Sequence, residues 1–381
     1  MSFSKKIKRF IRNQVYRRKY IYTNCNINYD KDTIMLISPS AFKGGAPVLL
    51  LHIAKALKMM GFQLILICMN YGDLLPEFSK TCHIEVCTSK LSLRRAILKY
   101  EQFNIKSCIC NSVESAVALP FLKEAGLNSK VLIHELPGAI HELHAEDAAI
   151  KAANQTDLII FPSSYVKNRF EDICAINVEY AIKPQGLYLF SNREKLADKI
   201  TSIEYVRNKC RINNSSDIVL NIASANYRKG FDIFIDIARK NPSREYIWIG
   251  YKCDSYTKQF VDIPPNLHLL NYIASEDELW KFYVAADLFV LTSREEPFGS
   301  VVLEAFFAGL PVVAFADRGG YVDVITDYKT GLLVKEIGSD GMIEAISSLL
   351  DNKALLDVVS TNCKCFAAKM RFDDYIEFLL R

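Results

Sequence analysis

The chain alternates short apolar runs with stretches of helical periodicity, and it does so in two successive series. The first series occupies residues 33–40, 62–70, 106–112, 129–136 and 156–164, with "TIMLISPS" and "FQLILICMN" as its opening members. These runs are apolar at nearly every position rather than at every second one, the pattern of strands buried on both faces. Between the first two runs lie a glycine loop and "VLLLHIAKALKMMG", which reads as a helix ending at Gly61. A second series begins after "AIKPQGLY" and occupies residues 217–225, 244–250, 266–270, 286–293, 310–316 and 330–334. Strand, loop and helix repeated in this order build parallel sheets with crossover helices.

The expected fold class is therefore α/β, with two Rossmann-like domains facing each other across a cleft, where open parallel sheets bind their ligands. A length of 381 residues suits two domains, and a composition 50% hydrophobic and 24% charged suits a soluble globular protein. The 11 cysteines are scattered, with only Cys108/Cys110 and Cys363/Cys365 close together and no CxxC pair, so they read as reduced thiols in a cytoplasmic protein. No apolar run reaches the roughly 18 residues of a spanning helix, and the basic N-terminus lacks the apolar stretch of a signal peptide, so neither export nor a membrane span is expected.

Charge is unevenly placed. Lys5, Lys6, Lys8, Arg9, Arg12, Arg17, Arg18 and Lys19 precede the first acidic residue, Asp30, and give the arm +8; with a net charge of +4, the remainder stands at −4. An acidic body with a basic arm argues against a protein-wide nucleic-acid surface and points to one localised contact with something anionic. Phe3, Ile7, Phe10, Ile11 and Val15 recur at helical spacing there. Residues 1–22 thus read either as a basic amphipathic helix on an anionic membrane surface or as a solvated tail.

The most chemically specific stretch is "SREEPFGSVVLEAFFAGLPVVA", residues 293–314. It follows a strand-like run, places Glu296 on a loop, and continues into a helix stopped by Gly309 before Pro311. Backbone N–H groups around Phe298, Gly299 and Ser300 form the amino end of that helix, a seat for phosphate, and Glu304 lies about a turn inside it. Diphosphate, ribose hydroxyls and sugar hydroxyls all suit these groups.

At these residues the sequence resembles the retaining, nucleotide-sugar-dependent glycosyltransferases of the two-domain GT-B fold, family 4, whose E-x7-E pattern falls here on Glu296 and Glu304. The resemblance implies that Glu296 contacts donor-sugar hydroxyls and that Glu304 accepts hydrogen bonds from the ribose. It extends to "NIASANYRKGFDIFIDIARK", where the family's Lys-Gly implies that Lys229 holds the donor diphosphate. Many members carry an arginine six residues before that lysine; here Ala223 occupies the position, and either Arg228 substitutes or the phosphate clamp is weaker. Gly44 and Gly45 in "SAFKGGAP" resemble the family's glycine loop, and His134 in "VLIHELPG" its cleft histidine. "LLNYIASEDEL" matches the segment whose backbone beside Ile273 meets the nucleotide base. The implied catalytic set is Glu296, His134 and Lys229. The implied donor-binding set is Gly44, Gly45, Arg228, Lys229, Ile273, Phe298, Gly299, Ser300 and Glu304.

The resemblance implies a hexosyltransferase that uses a UDP- or GDP-sugar as donor substrate, with no cofactor, and a glycan or lipid-linked glycan as acceptor. Bacterial surface polysaccharide or lipopolysaccharide synthesis is the expected setting, in the cytoplasm or peripherally on the inner face of the plasma membrane. The expected division is a basic arm over residues 1–30, an acceptor domain over 31–185, a donor domain over 186–365 and a last helix over 366–381 returning to the first domain. No metal site is expected: "HELH" lacks the H-E-x-x-H spacing, and Asp30-x-Asp32 precedes the first strand and reads as a solvated turn. A catalytically silent nucleotide-sugar-binding or scaffolding subunit, and a sugar-nucleotide epimerase of the same fold, are the alternatives.

Overall fold

The computed structural model describes residue 15 and residues 24–189, 198–213 and 215–381. Residues 1–14 and 16–23, and with them most of the basic arm and the expected membrane contact, lie outside the described residues. The chain divides into two compact units, the first running from Met1 to Pro184 and regaining Asp373–Arg381, the second running from Gln185 to Phe372.

The first unit contains β1 (Thr33–Ser38), β2 (Gln63–Cys68), β3 (His83–Val86), β4 (Ile105–Asn111), β5 (Ser129–Leu132), β6 (Leu158–Phe161) and β7 (Glu179–Ile182). They form one sheet in the order β3-β2-β1-β4-β5-β6-β7, with every pair parallel. All six residues of β1 and of β2 are buried, as their continuous apolar runs require. The helix Gly45–Met59 crosses from β1 to β2 and buries Leu49, Leu50, Ile53, Ala54 and Leu57. In the last helix, Phe372–Leu380, the carbonyl of Leu379 accepts a 2.7 Å hydrogen bond from Lys130 Nζ on β5.

The second unit contains β8 (Ile218–Ile222), β9 (Glu245–Ile249), β10 (Leu267–Leu270), β11 (Leu288–Leu291), β12 (Val312–Phe315) and β13 (Gly331–Val334). Their order is β10-β9-β8-β11-β12-β13, again parallel throughout. Strands run outward in both directions from β8 and β11, so the connections leave to opposite faces between those two strands. The core beneath is aromatic: Trp248 meets Phe231 at 5.1 Å and Phe234 at 5.2 Å, both edge to face. Such pairs add about 0.5–1.5 kcal/mol each beyond their area burial. The Trp248 indole N–H is satisfied by the carbonyl of Ala223, at 2.8 Å.

Both sheets are thus parallel and doubly wound, as the alternation of runs requires. Strands β3 and β7 are additions that the runs did not reveal. "HIEV" and "EYAI" are short, mix polar with apolar residues and lie at the two edges of their sheet, where continuous burial is not needed.

At Gly230 the loop after β8 closes against the end of β11. Its φ is 69°, and an added Cβ would stand 2.0 Å from the carbonyl oxygen of Thr292. Strain of this kind costs about 1–3 kcal/mol before any steric repair. Gly230→Ala is therefore expected to lower stability by at least about 2 kcal/mol, read as a reduced urea midpoint at unchanged slope.

Candidate donor site

In the second unit the loops leaving β8 and β11 carry the charged residues of the sequence pattern. Lys229 donates through Nζ to Glu296 Oε2, a salt bridge whose side chains are only 16% and 10% exposed. Ser293 Oγ donates to the same carboxylate oxygen at 3.3 Å. The backbone around Lys229 is held from both sides: its N–H donates to Asn226 Oδ1 at 2.9 Å, and its carbonyl accepts from Thr292 Oγ1 at 3.0 Å. Glu296 is anchored to the loop after β12, with its N–H on the carbonyl of Arg318 at 2.8 Å and its own carbonyl accepting from Gly320 at 3.1 Å. A Cβ on Gly319 would lie 2.4 Å from the Glu296 carbonyl, so only glycine lets these loops meet.

Phe298 is buried, and Gly299, at φ 79°, turns the chain into the helix Ser300–Ala308. No side chain caps the amino end of that helix, which leaves its first backbone N–H groups free of side-chain acceptors. Ser300 Oγ accepts from Gln185 Nε2 at 2.7 Å. Glu304, the fifth residue of the helix, is 6% exposed, and Tyr283 donates to its Oε2 at 2.6 Å. Burial pushes the Glu304 carboxyl up to about 7, against the Tyr283 hydrogen bond that favours the charged form, with Glu276 adding to the rise.

Arg228 is exposed and donates through Nη1 to the carbonyl of Glu295 at 2.8 Å, so it braces one loop against the other. Ile273 follows β10 and packs at the edge of the core. Beside it, Tyr272 is 47% exposed and stacks on Tyr251 at 4.5 Å, with the rings 7° from parallel.

Gly44, Gly45 and His134 belong to the first unit. Gly44 precedes the helix Gly45–Met59 in an extended conformation, and an added Cβ at Gly45 would meet nothing within 4 Å. His134 Nε2 lies 3.2 Å from Asn111 Oδ1, and Asn111 Nδ2 donates to the carbonyl of Ala46 at 3.1 Å. Because that amide nitrogen is spent on Ala46, the oxygen must accept, which places the imidazole proton on Nε2. Burial lowers the His134 pKa from its ordinary value, with Glu135 opposing, and so favours the neutral ring. Asn111, fully buried at the end of β4, ties the glycine loop to the histidine and was not singled out from sequence. Its signal is a polar residue closing an otherwise apolar strand.

Asp30 and Asp32 are exposed at the turn before β1, as expected, and Asp32 also accepts from Asn104 Nδ2 at 2.7 Å and pairs with Lys106 at 3.2 Å. His141 pairs with Glu146 at 2.8 Å. Among the described residues no group of three or more His, Cys, Asp or Glu is arranged to hold a metal, and no helix is long and apolar enough to cross a membrane.

Residues 202–364 match the model of a family described as glycosyl transferases group 1. That match lies wholly within the second unit. It takes in Lys229, Ile273, Glu296 and Glu304 together. Lipopolysaccharide core biosynthesis glycosyltransferase LpsE of Rhizobium meliloti is 28% identical over 141 residues, which cover 36% of this chain and 41% of LpsE. A sulfoquinovosyl transferase of Arabidopsis thaliana is 30% identical over 148 residues, covering 37% of this chain and 28% of that enzyme. The chain therefore spans less than half the length of either relative. The crystal structure of HepE from Anabaena in complex with UDP-glucose superposes with a TM-score of 0.76 at 18% identity, covering 91% of this chain and 98% of HepE. That likeness covers both units and shows the fold, the GT-B fold of glycosyltransferases.

The raised Glu304 carboxyl has a definite consequence for stability. The folded group holds a proton that the unfolded chain, at its ordinary value of 4.5, has released. The stability that Glu304 contributes is then fullest below about pH 4.5, falls as pH rises to about 7, and levels above it. Glu304→Gln is expected to remove most of this slope, a difference on the order of 3 kcal/mol, measured by urea unfolding at successive pH values across that window.

Proposed function

We propose that this protein is a retaining glycosyltransferase that moves a hexose from a nucleotide-sugar donor to a glycan or lipid-linked glycan acceptor. The observation that carries the reading is the Lys229–Glu296 pair at the ends of β8 and β11, next to an uncapped helix amino end whose helix bears the buried Glu304. A nucleoside diphosphate has two anionic phosphates for the cation and the N–H groups, and a ribose whose hydroxyls can donate to a carboxylate.

In this reading Lys229 and the helix end at Phe298, Gly299 and Ser300 bind the diphosphate and stabilise charge as it leaves. Glu304 accepts from the ribose, which favours its ionised form, and Glu296 orders the hydroxyls of the donor sugar once Lys229 turns to the phosphate. Arg228 adds positive charge at the loop, the backbone beside Ile273 meets the base, and Gly44, Gly45 and His134 serve from the first unit. The bond from the anomeric carbon to the phosphate oxygen breaks with its electron pair going to the diphosphate. A bond from the acceptor oxygen forms on the same face, and the acceptor proton passes to the leaving phosphate. Retention follows without a dedicated protein base, whereas double displacement would ask Glu296 to act as nucleophile.

Synthesis of a bacterial surface polysaccharide or lipopolysaccharide is the setting we favour, in keeping with the name of LpsE, and the UDP-glucose held by HepE favours a uridine diphosphate sugar. Residues 1–22, with the cationic run of the arm, would bring the enzyme to an anionic membrane surface from the cytoplasmic side. Ala223, where many relatives have arginine, is the one observation that favours a silent nucleotide-sugar-binding subunit, and turnover separates the two readings.

Incubation with UDP-, GDP- and ADP-sugars is expected to release nucleotide from one donor class. Lys229→Ala and Glu304→Ala should each lower kcat/KM by at least roughly tenfold, the equivalent of losing one charged hydrogen bond of about 1.5–3 kcal/mol. Near-normal kinetics in both folded variants would overturn the site assignment.

A further inference from the structure

Lys229 and Glu296 sit on separate loops, and neither loop belongs to a helix or strand that could hold it rigid. Several contacts join them, and the most extensive come from one side chain. Arg294, two positions before Glu296, donates from Nη1 and Nη2 to Asp232 Oδ1 and Oδ2 at 2.8 and 2.6 Å, a two-pronged pair. Asp232 stands in the first turn of the helix Phe231–Lys240, which begins directly after Lys229–Gly230. The Arg294 Nη1 also donates to the carbonyl of Tyr227 at 2.7 Å, and its guanidinium lies 3.8 Å over the Tyr227 ring.

The backbones are stitched alongside. The N–H of Arg294 donates to the carbonyl of Arg228 at 2.8 Å, and Arg228 Nη1 returns a bond to the carbonyl of Glu295. The Arg294 and Asp232 side chains are 19% and 29% exposed, so the pair is largely withdrawn from water. Burial raises the Asp232 carboxyl, yet its bonds and charge contact with Arg294 outweigh this and bring it below the ordinary aspartate range. The pair is therefore intact at neutral pH.

We infer that Arg294 and Asp232 are positioning residues: they clasp the loop of Lys229 to the loop of Glu296, so that the Lys229 backbone is held where its ammonium can turn from Glu296 to a diphosphate. Arg294 is a poor phosphate ligand itself, because both of its terminal nitrogens and one face of its plane are engaged within the protein. A lysine in its place could not span both Asp232 oxygens. This inference rests on the donor-site reading above and adds two residues that no sequence pattern marks.

The test is a double-mutant cycle on nucleotide affinity, measured by titration calorimetry with UDP, GDP and ADP and, for whichever binds wild type, the corresponding nucleoside. Arg294→Met and Asp232→Asn should each weaken the nucleoside diphosphate by about five- to tenfold, leave nucleoside affinity unchanged, and add little to the loss caused by Lys229→Ala. Asp232→Glu, which keeps a two-oxygen acceptor, should recover part of the loss. A contribution to stability alone would lower the melting temperature of these variants without this pattern. Diphosphate affinity equal to wild type in folded Arg294→Met or Asp232→Asn, equal loss of diphosphate and nucleoside, or losses fully additive with Lys229→Ala would overturn the clasp. If Lys229→Ala itself binds like wild type, or wild type binds none of the three, the donor-site reading falls and the inference with it.

Discussion

The second unit is organised around two opposite charges taken largely out of water. Lys229 and Glu296 are each costly to bury alone, and their mutual attraction offsets that cost only when geometry and further hydrogen bonds are in place. Thr292, Asn226 and Ser293 supply those bonds, and the carbonyl of Arg318 and the N–H of Gly320 fix the Glu296 backbone. Gly230 and Gly319 are required by the same arrangement, because a side chain at either would strike the neighbouring loop. The pair is thus an anchor between the two loops. A diphosphate competing for the lysine would release the carboxylate toward sugar hydroxyls, an exchange of one charged partner for another that avoids exposing either alone.

Glu304 obeys the opposite economy. Burial disfavours its charge and raises its pKa, against the hydrogen bond it accepts from Tyr283. A buried carboxyl held near neutrality is poised to take a hydroxyl donor, and ligand donors are the means by which it would ionise. The histidine of the first unit is treated similarly, since burial favours its neutral form while Asn111 fixes its tautomer and, through Ala46, its distance from the glycine loop.

Much of the candidate site was legible because it is local. Glu296, the turn at Gly299 and Glu304 lie within one strand-loop-helix unit, and their spacing survives any choice of neighbours. Lys229 was legible for the same reason, through the Lys-Gly before its helix. Asn111, Asp232 and Arg294 were not, because their meaning depends on partners far along the chain: Arg294, on the loop after β11, is 62 residues from Asp232, in the first turn of the helix Phe231–Lys240. Strands β3 and β7 escaped for a related reason, since an edge strand needs burial on fewer sides and its composition carries a weaker signal.

The sequence alone determined that the chain forms two parallel α/β sheets, because continuous apolar runs separated by helical segments have no other way to bury both faces and satisfy the backbone. It also determined which loops carry charge. Only the tertiary structure decided that β8 lies beside β11, with two strands on either flank, and so brought Lys229 to Glu296 across 67 positions. Strand pairing is non-local, and an apolar run is equally content beside any other; the order is settled by how the crossover helices pack over the whole sheet.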